Sequence, residues 1–150
     1  YFKMNIKLLF IISFLLVLNS CASTYKYKLD TSNISDIDKF HTVLPLLISD
    51  KRFLKAEVLL INASKPSLQR IVSEADELWK SNNLSEANFK LERALRISKE
   101  EASIYLRLAH IRLEQGYFKE SKAFAARGSM IADLSSWERL LLNVYLKINS

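Results

Sequence analysis

Residues 87–94 and 121–128 are two versions of one pattern. Ala87-Asn-Phe-Lys-Leu91-Glu-Arg-Ala94 aligns with Ser121-Lys-Ala-Phe-Ala125-Ala-Arg-Gly128 at an offset of 34 residues. The register extends outward, placing Ile71 on Tyr105, Asn82 on Gly116 and Leu84 on Phe118. A weaker copy lies upstream at an offset of 31, marked by Phe40, Phe53, Ala56, Leu60 and Ala63, with Pro66 after it. A period of this length is the signature of a repeat architecture. Each unit is too small to bury its apolar face alone, so it stacks on the next.

The units are helical. Apolar residues from Ile34 onward recur at helical spacing. This predicts helices over Ile34–Ile48, Phe53–Ala63, Leu68–Lys80, Leu84–Ile97, Lys99–Gln115, Phe118–Ala132 and Ser136–Ile148. The 150 residues include only 2 Gly and 2 Pro, too few for the tight turns of a sandwich or barrel. Ser98-Lys-Glu-Glu101 and Ser135-Ser-Trp-Glu138 read as capping boxes, and Gly116 as a helix stop. Asp76–Lys80, Glu86–Lys90 and Glu92–Arg96 have the spacing and order of favourable i,i+4 pairs. Pro45 falls inside the first helix, at a cost of ~3 kcal/mol unless the helix starts or kinks there.

This period and pattern resemble the tetratricopeptide repeat (TPR). The family's bulky aromatic, Leu-small pair, turn and Ala-x-x-x-Phe followed by a second Ala fall on Tyr105, Leu108, Ala109, Gly116, Ser121, Ala125 and Gly128. The chain departs from the pattern at Glu74, Lys99, Arg112 and Ala125, although Phe124 stands beside the last. The resemblance implies an all-α, right-handed antiparallel helical-hairpin array. It would be a TPR-like superhelix of two to three repeats, at 37–67, 68–101 and 102–135, with Ser136–Ile148 as a C-terminal capping helix. The upstream copy is the least regular and has a kinked helical hairpin as its alternative. A plain helical bundle is the alternative for the whole array.

In that family the first helices of the repeats line a groove for extended peptides or partner helices. Carried over, the partner-binding groove holds Gln69, Val72, Asp76, Trp79 and Lys80, then Ser103, Leu106, His110 and Leu113. Trp79 is an aromatic anchor there, or else core between repeats. Trp137 is expected to cover the end of the array. One TPR subclass clamps a C-terminal carboxylate with Lys and Asn; Val72, Asp76 and His110 occupy those places, so that clamp is missing.

The N-terminus reads as an address. Lys3 and Lys7 precede an apolar run from Leu8 to Leu18, interrupted by Ser13. The run is shorter than the ~20 residues of a spanning helix and fits the apolar core of a signal peptide. Met4 is the expected start of translation. Leu18-Asn19-Ser20-Cys21 resembles the lipobox of bacterial lipoproteins, in which the cysteine becomes the acylated N-terminus. That implies cleavage after residue 20, fatty acyl (palmitate) chains on Cys21, the sole cysteine, and a membrane anchor. Ala22 and Ser23 follow, with no Asp to retain the protein at the inner membrane. The implied place is the outer membrane, facing the periplasm. Residues 21–33 lack any period and read as a flexible tether, and 34–150 as the TPR-like domain.

No phosphate loop, His-Glu-x-x-His, Gly-x-Ser-x-Gly or Cys-x-x-Cys occurs. His41 and His110 lie far apart, and Glu74, Asp76 and Glu77 read as a solvated helix face. No catalytic residue, metal ligand or cofactor site is expected. Without residues 1–20 the net charge falls from +6 to +4, with acids interspersed, so no nucleic-acid partner is expected. The reading is a lipid-anchored envelope scaffold or adaptor for a protein or peptide partner. A periplasmic cell-wall- or lipid-acting enzyme and a passive structural lipoprotein are the alternatives.

Overall fold

The computed structural model of the chain describes residues 37–148, and side chains from Thr42 onward. The expected signal peptide, Cys21, the tether and the His41 side chain lie outside the described residues. Seven helices and no strand occur among the described residues. They are α1 (Ile37–Ser49), α2 (Lys51–Leu59), α3 (Pro66–Lys80), α4 (Leu84–Ile97), α5 (Ala102–Glu114), α6 (Phe118–Gly128) and α7 (Ser136–Lys147). All lie in one compact unit spanning Thr31–Ser150.

Two like helix-ending turns stand 34 residues apart in the backbone. Helix α3 ends with Asn82 at φ +62°, and α5 ends with Gly116 at φ +81°. At the first turn Asn83 N–H donates to Leu78 O at 2.8 Å and Asn82 N–H to Trp79 O at 3.0 Å. At the second, Tyr117 N–H donates to Arg112 O at 2.8 Å and Gly116 N–H to Leu113 O at 3.1 Å. Both are Schellman motifs, in which a left-handed residue lets two orphan carbonyls be satisfied. Each turns the chain back, and α3 packs on α4 as α5 packs on α6.

Helix α5 is central to the described helices. Every residue from Ala102 to Ile111 is buried, and α2, α3, α4, α6 and α7 all pack on it. A helix with no polar face is stable only when covered all round. Gly128 of α6 allows the closest approach. A Cβ there would lie 2.8 Å from Tyr105 Cβ of α5 and 2.8 Å from Leu142 Cδ2 of α7. Trp137 is buried on α7.

The first hairpin lies elsewhere than a serial stack would put it. Helix α2 packs on α5, and α1 packs on α7, the last helix. Leu47, Leu54 and Val58 are fully buried in these contacts. Helix α1 continues through Pro45, and Asp50 starts α2 by accepting from Arg52 N–H at 2.9 Å and Phe53 N–H at 3.2 Å.

Several local expectations give way to longer-range bonds. Ser98 does not cap α5; it is the extended residue closing α4, and α5 begins after Glu101. The Glu101 carboxylate instead accepts from Ser64 N–H at 3.0 Å and from the Ser64 hydroxyl. The box at Ser135 does form, with Glu138 N–H on Ser135 Oγ at 3.2 Å and Ser135 N–H on Glu138 Oε2 at 2.8 Å. Asp76 is bound by Arg107, so Lys80 pairs with Glu77. Lys90 reaches Glu74, and Arg112 bridges Glu92 and Glu120. Helix α6 stops at Gly128 rather than Ala132, and α2 at Leu59 rather than Ala63.

Candidate functional site

The expected groove residues do come together, on the facing sides of α3 and α5, and most are covered. Val72, Trp79, Ser103, Leu106, His110 and Leu113 are buried, and Asp76 is 9% exposed. Gln69 is half-buried, with Oε1 accepting from Ala63 N–H at 2.6 Å. Lys80 alone among them is exposed. The element lying over this face is the protein's own α2.

Two polar networks fix α2 in place. The first centres on Arg107, whose side chain is fully buried. Its Nε donates to Asp76 Oδ1 at 2.7 Å and its Nη2 to Asp76 Oδ2 at 2.8 Å. The remaining donors go to backbone carbonyls: Ile61 O at 2.8 Å, Ser103 O at 3.1 Å and Leu59 O at 3.3 Å. All five N–H groups of the guanidinium are used, the condition under which a buried cation is tolerated. Leu59 is the last residue of α2 and Ile61 follows two residues later, so Arg107 acts as a C-terminal cap for that helix.

The second network centres on the Glu114 carboxylate at the far end of α5. It accepts from Trp79 Nε1 at 2.7 Å and from Lys55 Nζ of α2 at 3.2 Å. The same ammonium lies over the Trp79 ring, 4.4 Å from its centroid, in cation–π geometry. His110 fills the space behind, with its ring centroid 5.2 Å from that of Trp79 and 5.8 Å from that of Tyr145. His110 Nδ1 lies 2.7 Å from Tyr145 Oη, and Nε2 lies 3.5 Å from Glu114 Oε1. A carboxylate facing Nε2 favours the tautomer with hydrogen on that nitrogen, so the Tyr145 hydroxyl donates to Nδ1.

The electrostatics follow from these contacts. Burial pushes the Glu114 carboxyl upward, but the His110 ring, the Trp79 indole and the Lys55 ammonium outweigh it and hold its pKa down at about 2. Burial lowers the pKa of the His110 imidazole, against the opposing pull of Glu114. Burial likewise raises the Tyr145 phenol well above its ordinary value. The outcome is a carboxylate, a neutral imidazole and a neutral phenol held in fixed contact.

Two clefts lie away from this face. One of about 360 Å³ is lined by Asn62, Ser64, Glu100, Glu101, Asp133 and Glu138 among others. The other, of about 430 Å³, lies beside the turn from Gly116 to Glu120. Neither includes an expected groove residue. Among the described residues no group of three or more His, Cys, Asp or Glu is placed to hold a metal ion, and no helix is long and apolar enough to cross a membrane.

Lys55, Arg107, Glu114 and Tyr145 were not among the expected site residues. Arg107 carried a readable signal. It interrupts Ile104-Tyr-Leu-Arg-Leu-Ala-His-Ile111, a run that apart from His110 is otherwise largely apolar around the whole turn of a helix. A charge in such a run is buried, and a buried charge needs a partner. No protein-family model matches the chain, and neither a curated protein nor a solved structure matches it significantly.

Proposed function

We propose that this protein is a lipid-anchored adaptor of the bacterial cell envelope. Cys21 would carry the acyl anchor, and residues 21–33 would tether a TPR-like domain that holds a partner protein without catalysis. The observation that carries this reading is the pair of identical turns at Asn82 and Gly116, 34 residues apart. They set α3–α4 and α5–α6 as two like hairpins, the unit from which TPR-like arrays are built. The lipobox-like residues before Cys21 supply the address.

The chemistry of the buried face supports binding over turnover. The groups with displaced protonation, His110, Tyr145 and Glu114, face one another and Trp79 and Lys55: Tyr145 Oη bonds His110 Nδ1, Glu114 accepts from Trp79 and Lys55, and His110 Nε2 is turned toward Glu114 at 3.5 Å. Such a cluster orients a surface. An acid or base in turnover has to reach a substrate.

The test is capture from native membranes after mild crosslinking, beside a Cys21→Ala control, with palmitate incorporation measured in both. The reading expects label on Cys21 and a reproducible crosslinked partner that depends on it. Label in neither sample would remove the anchor. An absent partner in both would remove the adaptor role.

A further inference from the structure

Helix α2 is bound in the manner of a ligand. The residues that touch it, Trp79, Arg107 and Glu114, and Asp76 behind Arg107, all lie on α3 and α5. They are already joined to one another: Arg107 to Asp76, and Trp79 to Glu114 at 2.7 Å. The surface that receives α2 is therefore organised by bonds that do not involve it. Only Leu54 and Val58 of its nine residues are fully buried, and residues 60–65 join it to α3 without helix.

The contacts define what that surface reads. Two apolar side chains four residues apart, Leu54 and Val58, fill the apolar part. One cation, Lys55, is placed directly after the first of them, with its ammonium between the Trp79 ring and the Glu114 carboxylate. Arg107 then takes Leu59 O, the last carbonyl of the helix, and Ile61 O two residues beyond it. That last contact is to backbone, so any helix ending at that point can make it.

We propose that α2 is an exchangeable occupant and that the α3–α5 face docks a short helix of a partner carrying the same pattern. The partner helix has an apolar residue, Lys or Arg next, a second apolar residue four positions after the first, and a free C-terminal turn. This inference rests on the adaptor reading and deepens it. The complementary charges are Lys or Arg on the partner against Glu114 on the protein. An occupant tethered to the same chain competes at high effective concentration, so a partner's apparent affinity falls by the fraction of time α2 is in place.

The test uses a labelled peptide of the sequence of residues 50–61, its twin with glutamate in place of Lys55, and the full chain. Leu54→Ala/Val58→Ala in the full chain weakens the resident helix and leaves α3 and α5 unchanged. The proposal expects the native-sequence peptide to bind this variant about tenfold or more tightly than wild type, and the glutamate twin to bind neither. Equal affinity for both proteins, or for both peptides, overturns it. A concentration-dependent dimer without peptide uptake also overturns it, and assigns the face to α2 of a second copy. Should the variant fail to fold, hydrogen exchange on wild type decides. Amides of α2 opening well before those of α5 support the proposal, and opening only with global unfolding overturns it. Loss of peptide binding beside an intact crosslinked partner would leave the adaptor reading standing and move its docking surface elsewhere.

Discussion

Arg107 and Asp76 meet edge to edge across α3 and α5, with Nε 2.7 Å from Oδ1 and Nη2 2.8 Å from Oδ2. The pair is out of water: the arginine side chain is fully buried and that of the aspartate 12% exposed. Arg107→Met removes one partner and leaves a buried carboxylate uncompensated, for a loss of about 3–5 kcal/mol in unfolding free energy. Adding Asp76→Leu is expected to recover part of that loss. The remainder reflects the orphaned carbonyls of Leu59 and Ile61, each costing about 1–3 kcal/mol when left unpaired. Urea titrations of both variants measure the two quantities separately.

The two glycines are expected to fail for different reasons. At Gly128 a methyl group meets Tyr105 Cβ and Leu142 Cδ2 at 2.8 Å, and the first of these is fixed to backbone. Gly128→Ala therefore overpacks the α5–α6–α7 junction and lowers stability by about 1–3 kcal/mol, despite alanine's better helix propensity. At Gly116 there is open space but φ is +81°. Gly116→Ala costs about 1–2 kcal/mol through backbone strain alone. A crystal structure of each variant separates the mechanisms, with shifted side chains expected only for the first.

Acid is expected to weaken the fold in two stages. The Glu114 pKa is held at about 2 against an ordinary 4.5, so its contribution is present above pH 4.5 and is lost as pH falls toward 2. The His110 pKa is also lowered, from an ordinary 6.5, because folding buries the neutral ring. The unfolded chain takes up that proton first, so stability begins to fall below pH 6.5. In Glu114→Gln the lower stage disappears and the upper one remains. Urea midpoints of wild type and variant between pH 2 and 8 test both, and parallel curves below pH 4.5 would exclude the role given to Glu114.

Capping gives a paired control. Ser135→Ala removes a formed box and costs about 1 kcal/mol. Ser98→Ala, in an equally promising motif, removes no side-chain cap from α5 and is expected to be near neutral. Thermal melts of the two proteins decide this, and equal losses would mean that Ser98 does cap α5.

That contrast shows what could be read from the residues. Seven helices are legible because their apolar spacing is local, and Leu84–Ile97 appears with its expected ends. The turns at Asn82 and Gly116 are legible because left-handed backbone selects Asn and Gly. Ion pairs were the least legible. Each of Asp76, Glu92 and Lys90 had an acceptable neighbour one turn away, and each found a partner on another helix. Register placed the expected groove residues on α3 and α5, but did not show the helix that covers them. Nothing in residues 50–61 states which helix they lie against. Glu114 and Tyr145 were hidden for the same reason, since their roles exist only after α2, α3 and α7 are in place.

Helix α5 lies in the second half of the chain, yet every other hairpin is arranged around it or its neighbours. Synthesis proceeds from the N-terminus, so α2 to α4 are made before the axis they pack upon, and α1 before α7. During that interval Leu54 and Val58 have no surface to rest on, and Leu47 waits longer still, for α7. These helices are thus committed to a late closure, in which the first of them to be made are among the last to settle.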